Sequence, residues 1–257
     1  MKYSLPAVLL LTVFSTEAQQ KDSLTPAVYQ WNDLILQKEG DDLKRSIFKG
    51  STTTLSNFEV ASYILPPDKG LASYFKHDDL EELMILKEGN FRITINGKSR
   101  TLGPGSVAFV MPGDEHAIEN IGNTDAVYYI LKYKGKSPDH ERGKNKGGSF
   151  MLDWNDLKTN NTGKGYRRDF FNRATSQLAQ FEMHSTALNA DSVSHSPHTH
   201  VQEEIILILR GNVTMHIDGK LFPASPGDLV FLPSRIPHAL LNTGKEQCEY
   251  FAFQWRN

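Results

Sequence analysis

Apolar and polar residues alternate along much of the chain in short runs that end at glycine or proline. The segment Val213–Ile217 shows the pattern, because its first, third and fifth residues are apolar whereas Thr214 and His216 are polar. Successive side chains of a strand point to opposite faces, so the alternation indicates a half-buried β-strand. By the same parity His216 faces away from the core, and we assign it no function.

Turn signals separate the predicted strands. Asn96-Gly97 and Asp218-Gly219 are dipeptides typical of two-residue β-hairpins. Other strands end at proline-glycine turns, as at Pro226-Gly227. Short strands at this spacing predict an all-β protein, and we expect them to form double-sheet jelly-roll barrels with an open mouth.

The pattern occurs twice. Trp-Asn-Asp-Leu is found at Trp31–Leu34 and again at Trp154–Leu157, an offset of 123 residues, which later becomes 122. The pairs matched at the second offset are Glu82 and Glu204, Gly89 and Gly211, Gly105 and Gly227, His116 and His238, and Asn120 and Asn242. One register through so many glycines indicates a tandem duplication, and the change of offset from 123 to 122 places a length difference of one residue between about Pro66 and Glu82.

The repeat predicts two tandem jelly-roll barrels in one chain. We expect an N-terminal domain over residues 28–135 and a C-terminal domain over residues 150–257. Residues 136–149 between them, KSPDHERGKNKGGS, are polar and rich in glycine. This composition is typical of a linker or surface loop whose basic side chains are solvated.

The first residues resemble a secretory signal peptide. A lysine precedes the apolar run Leu5–Phe14, which is too short to cross a bilayer as a helix, and the small residues Thr16 and Ala18 follow. We expect residues 1–18 to be removed, which leaves a periplasmic or secreted protein without a membrane anchor. A membrane-tethered or cytosolic N-terminal segment is the alternative.

Composition excludes some partners. Lys and Arg number 28 and Asp and Glu number 30, for a net charge of -2, so we expect no binding of nucleic acid. The single cysteine, Cys248, forms no intrachain disulfide and is typical of a small buried apolar residue. The protein must therefore be stabilised by packing.

Polar groups crowd against an apolar strand in the segment SHSPHTHVQEEIILILRG. His198, His200 and Glu204 share one strand parity, and His238 begins a later strand. Three imidazoles and a carboxylate that converge in a dry pocket form a site for a first-row transition metal. A cation also explains how a carboxylate tolerates burial. Solvated histidines in a turn are the alternative.

These residues also carry a family resemblance. HTHVQEEIILILRG is similar to the first cupin motif, and GDLVFLPSRIPHALLN is similar to the second, except for a missing glycine near Arg235. The chain is thus identified as a member of the cupin superfamily with two domains, a bicupin. The resemblance implies one divalent transition metal per chain, Mn, Fe, Zn, Ni or Cu, and Glu204 is also a candidate acid or base. The implied ligands are His198, His200, Glu204 and His238.

The first copy lacks one of the histidines. A gapless alignment places Lys76 and Asp78 at the two histidine positions, whereas a gap moved by one residue places Phe75 and His77 there. We therefore expect a purely structural barrel or a weak, vestigial site rather than a working metal site. The vestigial site would consist of His77, Glu82 and His116.

Other motifs are weaker. Arg167 or Arg168 has the geometry to bind a substrate carboxylate, although the matching pair Lys44-Arg45 favours an architectural role. His195 lies in a Ser-rich loop, and we expect it to be exposed.

Two functions remain open. The first is a metal-dependent enzyme acting on a small polar substrate (a carboxylate, a keto-sugar or an enol) with the metal as Lewis acid. Bicupins include oxalate decarboxylases, but these need a complete ligand set in both halves. The second is a non-catalytic extracytoplasmic cupin that binds a sugar or other small molecule, with an anchoring metal. An acid or base beside the metal favours the enzyme, and the candidates are Glu182, His184 and Gln202. A homodimer is also left open.

Overall fold

The structure is a computed structural model that describes residues 23–39, 42–70 and 74–257. The predicted signal peptide and its cleavage point lie outside these residues. Within them the protein is almost entirely β, which confirms the predicted fold class. None of the helices in the described ranges is long and apolar enough to cross a membrane.

The strands fall into two corresponding series. The first ten are β1 (Ala27–Tyr29), β2 (Gln37–Glu39), β3 (Asp42–Gly50), β4 (Leu55–Leu65), β5 (Glu81–Glu88), β6 (Phe91–Ile95), β7 (Lys98–Leu102), β8 (Val107–Val110), β9 (His116–Asn120) and β10 (Ala126–Gly135). The second ten are β11 (Phe150–Leu152), β12 (Asn160–Asn161), β13 (Gly165–Arg173), β14 (Gln180–Leu188), β15 (Glu203–Arg210), β16 (Val213–Ile217), β17 (Lys220–Ala224), β18 (Leu229–Leu232), β19 (His238–Asn242) and β20 (Cys248–Arg256). Single 3₁₀ turns form at Trp31–Asp33 and Trp154–Asp156.

The strands form two jelly-roll units, each built from a large and a small sheet. The first unit has the strand order β11-β8-β5-β10-β4-β3-β2 in its seven-stranded sheet and β7-β6-β9 in its three-stranded sheet. The second unit has the orders β1-β18-β15-β20-β14-β13-β12 and β17-β16-β19. The two sheets of each unit are hydrogen-bonded separately, and together they form one of the two predicted jelly rolls.

The first strand of each series belongs to the sheet of the other unit. Strand β1 pairs with β18, where Ala27 lies opposite Phe231, and β11 pairs with β8, where Phe150 lies opposite Phe109. The tryptophan that follows each exchanged strand packs on a glycine of the other unit. The two exchanged strands thus connect the units in a reciprocal way that repeats in the sequence did not reveal.

The repeated cationic residues secure these tryptophans. The guanidinium of Arg45 lies 4.7 Å from the ring centre of Trp31, and that of Arg168 lies 4.2 Å from the ring centre of Trp154. Arg168 also donates to Glu249 Oε1 at 3.1 Å. Arg168 therefore has the architectural role that its repeat suggested.

Strand β15 is buried on both faces. Ile206 and Ile208 point into the second unit, with Met215 and Tyr250. Ile205 and Leu207 belong to an aromatic-rich core between the two large sheets. Because both faces are covered, the strand is apolar without alternation. Cys248 is buried in the interior of the second unit, as predicted.

Two buried glutamates at matching positions join the units. Glu81 of β5 accepts hydrogen bonds from the backbone N–H groups of Ser176 at 2.7 Å and Gln177 at 3.3 Å. Glu203 of β15 accepts from the backbone N–H of Thr53 at 3.0 Å and from Trp255 Nε1 at 3.1 Å. Each glutamate thus accepts hydrogen bonds from the backbone N–H groups of a turn that precedes a central strand. In both cases the turn belongs to the other unit.

The segment between the units is partly helical. Residues His140–Asn145 form α1, and the Asp139 side chain accepts from the N–H of Arg142 at 3.0 Å at its N-terminus. Arg142 Nε donates to the carbonyl of Thr175 at 2.8 Å. The expected loop is therefore in part a short capped helix, because a capping aspartate three residues before Arg142 offsets the glycine content.

Candidate metal centre

Three histidines converge at the mouth of the second jelly-roll unit. His198 lies in the segment before β15 and forms a two-way backbone bridge with His238, the first residue of β19, through N–O distances of 3.2 and 3.1 Å. His200 shares its parity with His198, so its ring lies on the same side. One ring nitrogen of each histidine lies within 4.8 Å of those of the other two. This cluster is the candidate metal site of the described residues.

Glu204 completes the cluster from β15. Its Oε2 atom lies 3.1 Å from His200 Nε2 and 3.0 Å from His238 Nε2. Burial raises the pKa of Glu204, but hydrogen bonding by the two imidazoles outweighs burial and lowers the pKa to about 2. The carboxylate is therefore ionised at neutral pH, and it places a negative charge among three imidazoles in a buried pocket.

The second nitrogen of two rings is already used. His200 Nδ1 lies 3.0 Å from the carbonyl of Gln202, and His238 Nδ1 lies 2.9 Å from the carbonyl of Ile236. A carbonyl oxygen only accepts, so each Nδ1 holds the ring proton and each Nε2 of a neutral ring presents a lone pair towards Glu204.

Lone pairs that face a carboxylate require a cation between them. His238 Nε2 is buried and faces Glu204 Oε2 at 3.0 Å. Burial lowers the pKa of His238, but the hydrogen bond and the charge of Glu204 have the larger effect, so the net pKa is raised. A proton is therefore favoured on His238 when no metal is bound. Backbone-fixed imidazoles with a carboxylate are a donor set suited to divalent first-row metals. The residues therefore fit a metal.

A cavity of about 390 Å³ with a mixed polar and apolar lining opens beside the cluster. Its polar lining outside the cluster includes Lys164, Arg167, His184, Thr186, Ser194 and Gln254. Gln254 was not identified from the sequence. The only sequence signal for it is strand parity, since Gln254 lies four residues after Tyr250 on β20 and both side chains line the cavity. His195 also lines the cavity, with its ring 3.9 Å from that of His198, and it is exposed as predicted.

The three candidate acids or bases have different positions. His184 is buried and lines the cavity, and its Nδ1 lies 3.3 Å from Glu182 Oε1. Hydrogen bonding by His184 and by Arg167 lowers the pKa of Glu182 despite its partial burial. Gln202 acts only through its backbone carbonyl on His200. His216 points away from the interior formed by its neighbours on β16 and lies outside this cavity.

The first unit settles the alignment of the histidine motif. Phe75 forms the two-way backbone bridge with His116, at 2.8 and 2.9 Å, that His198 forms with His238. Phe75 therefore takes the place of the first histidine and His77 that of the second. The one-residue difference between the copies lies just after this position, because four residues separate His77 from Glu82 whereas three separate His200 from Glu204.

The carboxylate of the first unit has three partners. Glu82 Oε1 lies 2.9 Å from His77 Nε2 and 2.9 Å from Lys132 Nζ, and Oε2 lies 2.9 Å from His116 Nε2. His77, Glu82 and His116 thus lie together, with a lysine that belongs to neither sequence motif. Apart from these four residues, the adjoining cavity of about 250 Å³ is lined by aromatic and aliphatic side chains.

The fold and the two carboxylate-centred pockets define a bicupin. The profile of the cupin domain family matches residues 62–132 and 186–253, one match in each unit and more than half of the chain together. The chain belongs to the cupin family. A search of curated protein sequences gives no significant match.

Solved structures share this architecture at low sequence identity. A putative glyoxylate-induced protein from Pseudomonas aeruginosa is similar with 17% identity and a TM-score of 0.72, over 94% of this chain and 93% of that one. The protein Ylba from E. coli is similar with 19% identity and a TM-score of 0.69, over 93% and 94%. An oxalate decarboxylase from Lactobacillus farciminis, in complex with formate, is similar with 14% identity and a TM-score of 0.68, over 91% and 87%. At these identities the likeness establishes the fold alone.

Proposed function

We propose that this bicupin is a metal-dependent enzyme that acts on a small carboxylate in the cavity of its second unit. The metal would be held by His198, His200, Glu204 and His238. The observation that carries the proposal is that one cavity of about 390 Å³ joins the histidine cluster to Arg167 and His184. A bound divalent metal would act there as a Lewis acid that stabilises negative charge on a substrate oxygen.

The duplication provides an internal comparison. Strand pairing places Ala61 of the first unit at the position of His184 in the second, and Tyr63 at the position of Thr186. Phe75 stands at the position of His198. Both units have the same fold, so the fold itself does not require the polar side chains of His184, Thr186 and His198. Their presence only beside the second cavity supports a role in chemistry or binding.

Two side chains have complementary roles in the proposal. Arg167 presents a planar guanidinium to the cavity, a geometry that matches a carboxylate. It is held by Glu182 Oε1, 2.8 Å from Nη2, and by Asp169 on the same strand. His184 contacts the same Glu182, which orients its ring, so that His184 can take up or release a proton at the substrate. Formate, which is bound in the structure of the similar oxalate decarboxylase, is a small carboxylate of the kind proposed as substrate.

Arg167 also supports a second function, that of a non-catalytic binding protein. Because Arg167 already pairs with two carboxylates, its charge is largely compensated, a state that suits recognition of a neutral sugar as well as of an acid. In a binding protein of this kind the metal anchors the ligand and His184 only donates a hydrogen bond.

Turnover and binding of a substrate panel distinguish the two functions. The metal-loaded protein is incubated with small hydroxy acids, keto-sugars and phenolics, and product formation and ligand affinity are both measured. If the protein is an enzyme, it should turn over a carboxylate, and the turnover rate should fall by about 10²- to 10⁴-fold in His184→Ala with metal content unchanged. His216→Ala serves as the matched control and should retain full turnover. Binding without turnover of any compound would instead establish the binding protein.

We propose in addition that the protein works in the periplasm or outside the cell. The support is the sequence of residues 1–18, with its apolar run and small residues at positions 16 and 18. Mass spectrometry of protein exported from the native host should give a chain that begins at Gln19. A chain that retains Met1 would contradict this location.

A further inference from the structure

The first unit contains a cation where the second does not. Lys132 on β10 lies opposite Glu82 of β5, and its Nζ lies 2.9 Å from Glu82 Oε1. The Glu82 side chain is only 3% exposed and the Lys132 side chain is 29% exposed, so the ammonium reaches a buried carboxylate. At the same place in the second unit, the residue opposite Glu204 is the neutral Gln254. The two pockets therefore differ by a positive charge next to the central carboxylate.

The imidazoles of the two units also hold their protons differently. His238 Nδ1 has the carbonyl of Ile236 as acceptor, which leaves Nε2 with a lone pair. His116 Nδ1 is buried and has no hydrogen-bond partner among the described residues. Nε2 is therefore the nitrogen that donates, and it lies 2.9 Å from Glu82 Oε2. In the first unit the imidazole serves the carboxylate as a donor, so no further cation is needed.

We propose that Lys132 takes the place of the metal in the first unit and closes this pocket to divalent cations. Glu82 is satisfied by an ammonium and by the N–H groups of two imidazoles. A divalent ion would have to displace the ammonium from a buried carboxylate or accept its repulsion at close range. It would also find only two imidazoles, because Phe75 replaces the third. The pocket of the first unit therefore does not fit the divalent metal that cupins bind. The replacement of a histidine by Phe75 is only part of the reason, and the Lys132 ammonium is the other part.

The proposal makes Lys132 and Phe75 separable barriers. Phe75→His restores the missing ligand but leaves the ammonium, whereas Lys132→Gln reproduces Gln254 and removes the charge. Both changes are made in a chain whose second site is broken by His198→Ala and His238→Ala, so that binding at the first unit is observed alone. Lys134→Gln is the matched control, because Lys134 is on the same strand but pairs with the exposed Asp79.

Cobalt binding measures the outcome. Co²⁺ is added to each variant, and visible absorption and elemental analysis give the number of bound ions, while circular dichroism verifies folding. The parent chain, Phe75→His alone and Phe75→His with Lys134→Gln should bind no stoichiometric Co²⁺. Phe75→His with Lys132→Gln should bind about one ion, at least 100-fold more tightly than Phe75→His alone.

Three results would overturn the proposal. One is stoichiometric Co²⁺ in the parent chain, and another is equal affinity of Phe75→His with and without Lys132→Gln. If the double variant does not fold, wild-type crystals soaked in Co²⁺ decide the question by anomalous scattering. A cobalt peak between His77, Glu82 and His116 would then contradict the role of Lys132, whereas its absence, with a peak at the second unit, would support it.

Discussion

Trp31 packs over Gly227 of the second unit so closely that a Cβ atom on the glycine would lie 2.9 Å from Cγ of the indole. Gly227 has a φ of +95°, in the region that favours glycine. The same contact recurs between Trp154 and Gly105, where a Cβ would lie 2.6 Å from Cε3. Each exchanged segment is therefore seated on a glycine that no larger residue can replace without movement of the backbone or the indole.

Gly227→Ala should destabilise the protein more than an alanine at an open turn. Gly219 is the matched control, because it has a φ of +78° but a Cβ added to it would meet no atom within 4 Å. Gly219→Ala should cost about 1–2 kcal/mol for the backbone alone, and Gly227→Ala about 1–3 kcal/mol more for the clash with Trp31. Urea unfolding measures both variants. Equal losses of stability in the two variants would show that the Trp31 indole moves aside without an energetic cost.

Removal of the first exchanged strand should loosen the second unit rather than the first. In a chain that begins at Gln37, β18 loses its neighbour β1, so backbone amides in Leu229–Leu232 should exchange with solvent faster. Strand β8 keeps its neighbour β11, so amides in Val107–Val110 should remain protected. Hydrogen exchange followed by mass spectrometry locates the change. Faster exchange confined to β8 would contradict the exchange of strands.

The four proposed ligands should act as one unit. Alanine at His198, His200, Glu204 or His238 should weaken metal binding by more than about 100-fold, beyond the roughly 10–100-fold typical of changes around a metal site. His216→Ala and His140→Ala should bind metal normally, because His216 faces outward and His140 begins the helix between the units. Elemental analysis and calorimetry measure binding, and circular dichroism should show intact folding throughout. Full metal content in His238→Ala would refute the site.

The buried Glu81 should make stability depend on pH. Burial raises the pKa of Glu81 to about 7, although hydrogen bonds from Thr175, Ser176 and Gln177 oppose the shift. The folded state therefore holds the proton more tightly than the unfolded chain, in which the pKa has its ordinary value of 4.5. The stabilisation is complete below that ordinary pKa and is lost as the pH rises through the folded value, by about 3 kcal/mol at roughly 1.36 kcal/mol per pKa unit.

Glu81→Gln removes this titration and provides the test. The free energy of unfolding of the wild type should fall between about pH 5 and pH 8 relative to that of the variant, as measured by urea titration at each pH. The matched carboxylate Glu203→Gln serves for comparison, since it occupies the equivalent turn of the other unit. Parallel pH profiles of the wild type and Glu81→Gln would show that Glu81 is already ionised at the acidic end of this range.

Local patterns in the sequence predict the two jelly rolls and the convergence of His198, His200 and His238. Both depend on periodicity, since the parity of a strand determines which side chains share a face. Periodicity does not determine what covers a face. Phe231 alternates as a barrel residue would, yet it lies between the two large sheets. The partner of β1 was equally hidden, because any sheet edge of either unit satisfies the same alternation.

The first pocket shows a different limit of the sequence. Motif matching identified the missing histidine, but the choice between Phe75 and Lys76 needed the backbone bridge to His116. Lys132 lies fifty residues along the chain from Glu82 and reaches it only because β10 and β5 are neighbours. Contacts across strands that are distant in sequence require the sheet order, which no local pattern contains.

The reciprocal exchange of β1 and β11 also bears on why a barrel without a complete histidine set persists. Each half supplies an edge strand, a tryptophan and a capping turn to its neighbour, so deleting either half would strip the other of its own support. Natural selection can then relax on the chemistry of one half while it continues to act on the folding of both. The half with the complete histidine cluster then depends for its packing on a half that lacks one.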